Sequence, residues 1–122
     1  MNQNNNVSKG TKGESQAAEF LQENGYTILH RNKRYAHWET DIICENEQYL
    51  VFAEVKTRKY NSAFGRPAAA VNAKKKQNLI SCAEAYIAEN GTHGKQVRLD
   101  VIEVYESNGN YRIMHLKNAI TK

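Results

Sequence analysis

Residues 38–58 read WETDIICENEQYLVFAEVKTR, and the fold follows from how this stretch pairs with itself. Two strand-like runs, Glu39–Cys44 and Tyr49–Lys56, flank the polar turn Glu45–Gln48. Short runs of β-branched and aromatic residues around a polar turn read as a hairpin, although this turn holds no glycine. Pairing about the turn sets Cys44 opposite Tyr49, Asp41 opposite Phe52 and Glu39 opposite Glu54. Opposed residues project to one side of a sheet, as do residues two apart on a strand. Glu39, Asp41, Glu54 and Lys56 then share a side with Ile43, Leu50 and Phe52, while Ile42, Cys44, Val51, Ala53 and Val55 take the other. Both sides are apolar along most of the hairpin, so both should be covered.

The flanking sequence supplies the covers. Before the hairpin, Tyr26–Tyr35 reads as a strand near a sheet edge. It follows a helix over Thr11–Asn24 in which Ala17, Ala18, Phe20 and Leu21 keep helical spacing and Gly25 stops the run. Residues 1–10, MNQNNNVSKG, are too polar to bury surface and are expected to be a disordered tail. After the hairpin comes a loop over Tyr60–Ala70, with Gly65 and the only proline, Pro67. A helix from about Val71 to Glu89 follows, with Leu79, Ala83, Tyr86 and Ile87 on one face and Gly91 at its end. Val97–Tyr105 and Tyr111–Leu116 read as strands around the turn Ser107–Asn110. The expectation is one α/β domain over residues 11–122, a mixed β-sheet flanked by helices in the order α-β-β-β-α-β-β.

Composition bounds the function classes. The chain has 122 residues, 40% hydrophobic and 25% charged, which suits a single compact domain. No apolar run is long enough for a bilayer and the first residues lack the apolar stretch of a secretory signal, so a cytoplasmic chain without a membrane partner is expected. Cys44 and Cys82 are too few for a disulfide scaffold and have no zinc spacing. Seventeen Lys and Arg against thirteen Asp and Glu leave +4, which is compatible with a polyanionic partner without establishing one.

The chemistry lies at the open end of the hairpin. On the expected register Asp41 and Glu54 are diagonal neighbours, about 7–8 Å apart at Cβ or somewhat less. Two carboxylate arms can close that gap on a shared cation, and like charges held together on a sheet are destabilising unless something neutralises them. Mg²⁺ or Mn²⁺ bound by oxygen ligands suits this, and such ions serve phosphoryl chemistry. The Lys56 ammonium can orient water or offset charge in the transition state. Against this stands the ordinary case, in which strand-end charges are simply solvated; the paired Asp41 and Glu39 shift the balance toward a site.

At these residues a resemblance emerges. Asp41, twelve intervening residues and Glu54-Val55-Lys56 match the PD-(D/E)xK nucleases with their restriction-endonuclease-like core. From Lys12 onward the chain resembles the YraN-like family of small bacterial proteins, candidate endonucleases similar to archaeal Holliday junction resolvases. The matching stretches are Gly13-Glu14, Gly25-Tyr26-x-Ile-Leu-x-Arg-Asn32, Glu39-x-Asp41-Ile-Ile43, Val51-Phe-x-Glu54-Val-Lys-Thr-Arg58, Phe64-Gly65-x-Pro67, the Lys-rich start of the second helix with Tyr86, and Arg98-x-Asp100-Val-Ile102. The resemblance implies metal-dependent cleavage of DNA, possible activity on branched DNA, and a homodimer. It implies metal ligation by Asp41, Glu54 and the Val55 carbonyl, Lys56 as the catalytic lysine, and Glu14 as an acidic residue brought from the first helix. One departure is Trp38, where the family commonly has glycine.

Several residues read two ways. Glu14 is either a site residue or a favourable charge at a helix start. Glu39 is a supporting carboxylate or a partner of Lys56 or Arg58. Lys74, Lys75 and Lys76 open a helix, where the dipole disfavours cations, so phosphate contact competes with plain solvation. Arg31, Lys33, Arg34, Arg58 and Lys59 extend the basic surface. Asp100, between Leu99 and Val101, is expected in a polar pocket with Arg98 or in an interior network, outside catalysis. The rival to a nuclease is a non-catalytic nucleic-acid-binding or assembly module on the same fold; an RNA substrate is a third reading.

Overall fold

The computed structural model describes residues 9–59 and 73–121. The elements are α1 (Lys9–Glu23), β1 (Thr27–Tyr35), β2 (Trp38–Glu45), β3 (Tyr49–Lys59), α2 (Ala73–Asn90), β4 (Gln96–Ser107) and β5 (Asn110–Leu116). This is the expected order. Lys9 and Gly10 belong to α1, so the helix begins two residues before Thr11 and takes in the end of the stretch assigned to the tail. The rest of that tail, and the loop with Tyr60, Phe64, Gly65 and Pro67, lie outside the described residues.

The five strands form one sheet in the order β1-β2-β3-β4-β5, with β1 at an edge. Only β3 and β4 are parallel; the other neighbours are antiparallel. Parallel neighbours need a crossover, and the segment containing α2 provides it. On one face α1 buries Ala17, Ala18 and Leu21 against Ile42, Cys44, Val51, Ala53, Ile102 and Val104. On the other, α2 buries Leu79, Ile80, Ala83 and Tyr86 against Ile43, Leu50, Phe52, Leu99 and Val101. Each fully buried Leu, Ile or Phe contributes about 1.5–3 kcal/mol of transfer free energy. The central strands are therefore apolar on both sides because each side has its own helix.

The hairpin register corrects the expectation by two residues. Cys44 pairs with Val51, Ile43 with Phe52 and Ile42 with Ala53, instead of Cys44 with Tyr49 and Asp41 with Phe52. The cause is Asn46, whose Oδ1 accepts from the N–H groups of Gln48 (2.9 Å) and Tyr49 (2.7 Å). Its own N–H donates to the Tyr49 carbonyl at 3.0 Å, so the turn tightens. A shift of two preserves the side on which each residue lies; a shift of one would have exchanged the faces. The expected division of Ile43, Leu50 and Phe52 from Ile42, Cys44, Val51 and Ala53 therefore stands.

Candidate active site

The β2–β3 ladder ends at Ile42 and Ala53, although β2 reaches back to Trp38 and β3 runs on to Lys59. Beyond that point β2 stays with β1 through Thr40–Lys33, Glu39–Arg34 and Trp38–Tyr35. β3 stays with β4 from Glu54–Val101 to Lys59–Glu106. The sheet thus parts where the tightened register brings Asp41 level with Glu54. Instead of a ladder bond, the Val55 N–H donates to Asp41 Oδ2 at 2.8 Å.

The strand alternation also changes here. Arg31 points toward α1, 3.2 Å from Ser15 Oγ and 3.9 Å from Glu14. Tyr35, four residues on and so of equal parity, donates its hydroxyl to Glu89 of α2 at 2.7 Å. Between them Asn32 has φ of 53°, opposite Asp41, and a left-handed residue within a strand rolls the chain that follows. The simple row of charges expected from strict alternation becomes a cleft lined by His37, Glu39, Asp41, Glu54, Lys75 and Asn78.

Gly13 brings α1 to this place. A Cβ there would lie 2.0 Å from Thr57 Oγ1, so the helix backbone rides directly on β3. Glu14 follows, in the second turn of α1, and the first turn has no acidic residue. The reading of Glu14 as a helix-start charge therefore fails. Burial raises its carboxyl above the usual range; hydrogen bonding from Asn32 and the Arg31 charge oppose this, and Glu39 and Glu54 add to it.

Asp41 is the most perturbed carboxyl in the cleft. Burial, then the charge of Glu54, push it up to about 7, with the Val55 N–H pulling the other way. Glu54 is itself buried, and Lys75 Nζ lies 3.3 Å from its Oε2. The Lys75 ammonium is raised above its ordinary value by Glu54 first, against burial, with Asp41 and Glu39 also contributing.

The other expected residues are distributed around the cleft. Lys56 is half-buried on β3, does not line the cleft, and forms no ion pair among the described residues. Arg58 Nε stands 3.3 Å from Oε2 of buried Glu103, whose Oε1 accepts from the Tyr105 hydroxyl at 2.8 Å. Arg34 is 3.7 Å from Glu39 at the surface. Lys59, Lys74 and Lys76 are exposed. Val55 contributes its N–H as described, and its side chain packs on the α1 side. Sequence reasoning missed Asn32 and Asn78, noted His37 only as the histidine nearest the cluster, and placed Lys75 among phosphate contacts without seeing its carboxylate partner. Asn32 carried a signal, since Asn tolerates the left-handed region better than other non-glycine residues.

A profile described as "Uncharacterised protein family UPF0102" matches residues 13–104. The chain belongs to this family. A UPF0102 protein of Bacteroides thetaiotaomicron is 43% identical over 110 residues, covering 90% of this chain and 89% of the relative. One from Clostridium botulinum is 42% identical over 113 residues, covering 90% and 91%. One from Persephonella marina is 39% identical over 111 residues, covering 91% of each chain. The resemblance to the YraN family is thereby borne out, because UPF0102 is that family. The matched span takes in Gly13, Glu14 and every residue of the cleft.

The donor chemistry of this UPF0102 site fits a hard divalent ion. All candidate ligands are oxygen, and burial together with the charge of Glu54 drives Asp41 toward neutrality. Among the described residues no three His, Cys, Asp or Glu side chains converge as a ready-made ion cage. Two carboxylates are what Mg²⁺ commonly uses, with water and substrate phosphate completing its shell. No described helix is long and apolar enough to cross a membrane.

Proposed function

We propose that the protein is a Mg²⁺- or Mn²⁺-dependent nuclease of the PD-(D/E)xK type that hydrolyses phosphodiester bonds in DNA, with branched or structured DNA as the preferred class. The observation that carries this reading is the meeting of Asp41 and Glu54 where the sheet parts, with Asp41 tied to the Val55 N–H and pushed up to about 7. One half-exposed ammonium, that of Lys75 beside Glu54, stands against the carboxylates of Asp41, Glu54 and Glu39 in the cleft, so a cationic ligand is the best explanation of the arrangement.

Asp41, Glu54 and the Val55 carbonyl would hold the metal, which when bound polarises a phosphoryl oxygen and acidifies water. The Val55 N–H fixes the Asp41 carboxylate so that it need not reorganise during the reaction. Glu14 and Glu39 add negative potential beside the ligands, through the same charge interactions that raise Asp41. Lys56, two residues past Glu54, offsets charge developing on the phosphate, and exposed Lys59, Lys74 and Lys76 steer the polyanion. Symmetric cutting of a junction would take two copies.

A second reading keeps the fold as a non-catalytic nucleic-acid-binding module. The Lys75–Glu54 ion pair, which already occupies one of the two carboxylates a metal would need, favours it. The test is cleavage of linear, single-stranded, flap and four-way-junction DNA with Mn²⁺, Mg²⁺ or EDTA, using wild type beside Asp41→Ala and Lys56→Ala. Metal-dependent cutting that disappears in both variants is expected. Binding without cutting, or equal cutting by the variants, hands the site to the second reading.

A further inference from the structure

Lys75 occupies an unusual electrostatic position. It is the third residue of α2, inside a first turn that contains Lys74 and Lys76 and no acidic residue. The positive end of the helix dipole works against a cation there. Glu54 offsets the cost: Lys75 Nζ approaches its Oε2 to 3.3 Å, and the lysine lines the same cleft as Asp41, Glu39 and His37. The pair joins a half-exposed ammonium to a carboxylate that is only 9% exposed. In the metal-free protein the ammonium therefore serves as Glu54's counter-ion.

That pairing conflicts with the ligand set proposed above. A divalent ion on Asp41 and Glu54 would neutralise the carboxylates that hold Lys75 and would repel its ammonium directly. The helix terminus adds repulsion from the other side. A lysine released in this way, on a flexible stem at the rim of a phosphate-binding cleft, finds its best partner in a phosphate oxygen. Among the described residues it is Lys75, and not Lys56, that pairs with Glu54.

We infer that Lys75 exchanges partners, neutralising Glu54 in the metal-free protein and moving to a substrate phosphate once a divalent cation is bound, so that metal binding prepares the phosphate contact. The inference rests on the proposed metal-dependent reading. It assigns Lys75 as a substrate-binding residue distinct from Lys56.

The test uses the full chain freed of metal and titrated calorimetrically with Mn²⁺ alone. Wild type is compared with Lys75→Met, with Asp41→Asn, and with Lys117→Met, an exposed lysine that matches the change in net charge. Removing the competing ammonium should tighten Mn²⁺ binding about two- to five-fold, the range for a partly exposed ion pair. Lys117→Met should leave it unchanged. Binding of a short DNA duplex in Ca²⁺ at several salt concentrations supplies the second readout. There Lys75→Met should weaken binding and reduce the logarithmic salt slope by about one, the value for one lost phosphate contact. Both results are required. Equal or weaker Mn²⁺ binding by Lys75→Met, tightening matched by Lys117→Met, or an unchanged salt slope overturns the exchange while leaving the nuclease reading intact. If wild type binds no Mn²⁺, or Asp41→Asn binds it equally well, the underlying metal reading fails and the exchange falls with it.

Discussion

Two aspartates on the central strands meet burial in opposite ways. Asp100 on β4 is fully buried, yet its carboxyl lies below the usual range. Burial raises it, but hydrogen bonds from His115 (2.6 Å), Arg98 (2.9–3.1 Å) and the Asn118 N–H (2.8 Å) outweigh that effect. Arg98 is held in turn by the Tyr26 hydroxyl at 2.6 Å. Asp41 accepts the Val55 N–H and looks toward Glu54, Glu14 and Glu39, all of which push it upward. One carboxylate is satisfied by the chain, whereas the other is arranged against the chain's own stability. Buried polar groups normally come with their partners, so the deficient one marks the site.

The largest expected effect comes from Asp100. Replacing it with Ala leaves the Arg98 guanidinium buried without its carboxylate and frees the segment carrying Asn118, whose neighbour Ile120 packs into the core. Removing one partner of a buried pair costs about 3–5 kcal/mol, readable as a fall in the denaturation midpoint. If Asp100→Ala unfolds no more easily than wild type, the two carboxylates are not the opposites described.

Asp41→Asn should behave in the reverse sense, abolishing Mn²⁺ binding while stabilising the metal-free fold. The unfolded carboxyl titrates near 3.8 and the folded one near 7, so between these values the folded state binds the extra proton. Stability therefore falls as pH rises through that window, by at most about 1.4 kcal/mol per pH unit. Asp100 contributes the opposite slope, with stability present at neutral pH and lost on acidification toward its lowered value. Denaturation in EDTA should find wild type and Asp41→Asn nearly alike at pH 4, with the variant ahead by up to about 4 kcal/mol at pH 8. A gap that is constant across pH would mean the folded Asp41 carboxyl titrates normally.

How much of this was legible depended on whether it was encoded in neighbours along the chain or in the meeting of distant ones. The apolar hairpin with two covered faces could be read because alternation and burial act over a few residues. Its register slipped by two because an Asx-type closure at Asn46 leaves no trace in the apolar pattern. Asp41 and Glu54 were readable as a pair, and Asp100 with Arg98 as a network. His115, Asn118 and Tyr26 joined that network only through the fold. The three lysines of α2 were visible, but Lys75's attachment to Glu54 depends on the parting of β2 from β3.

Gly13 tests whether α1 must approach the acidic cleft so closely. Alanine normally stabilises a helix interior by about 1 kcal/mol over glycine. Here the added Cβ would meet Thr57 Oγ1, so Gly13→Ala should instead cost about 1–3 kcal/mol through overpacking. It should also weaken Mn²⁺ binding by moving Glu14 outward, with no effect on the Asp100 network. Adding Thr57→Ala, which removes the obstructing oxygen, should recover much of both losses. A raised melting temperature for Gly13→Ala alone would show that the helix has room to spare.

The smallest expected effect concerns the turn that carries His37 into the cleft. In the β4–β5 turn the left-handed positions are Asn108 (φ 52°) and Gly109 (φ 82°), residues suited to that conformation. The β1–β2 turn places Ala36 at φ 55°, where an alanine Cβ crowds the following carbonyl at about 1 kcal/mol or more. His37 follows directly, packed against Trp38 at a ring separation of 5.1 Å and lining the cleft with Glu39 and Asp41. Backbone strain tolerated beside a carboxylate crowded by like charges is the same pattern at smaller scale: local stability is given up where the site is built. Ala36→Gly should relieve the strain and, after the greater entropy of the unfolded glycine is subtracted, stabilise the fold by about 0.5 kcal/mol. Asn108→Gly, by contrast, should gain nothing, because asparagine already accepts its position at little cost. Equal gains from the two would mean that the turn beside the cleft is no more strained than its counterpart, and the contrast between the two ends would then rest on the carboxylates alone.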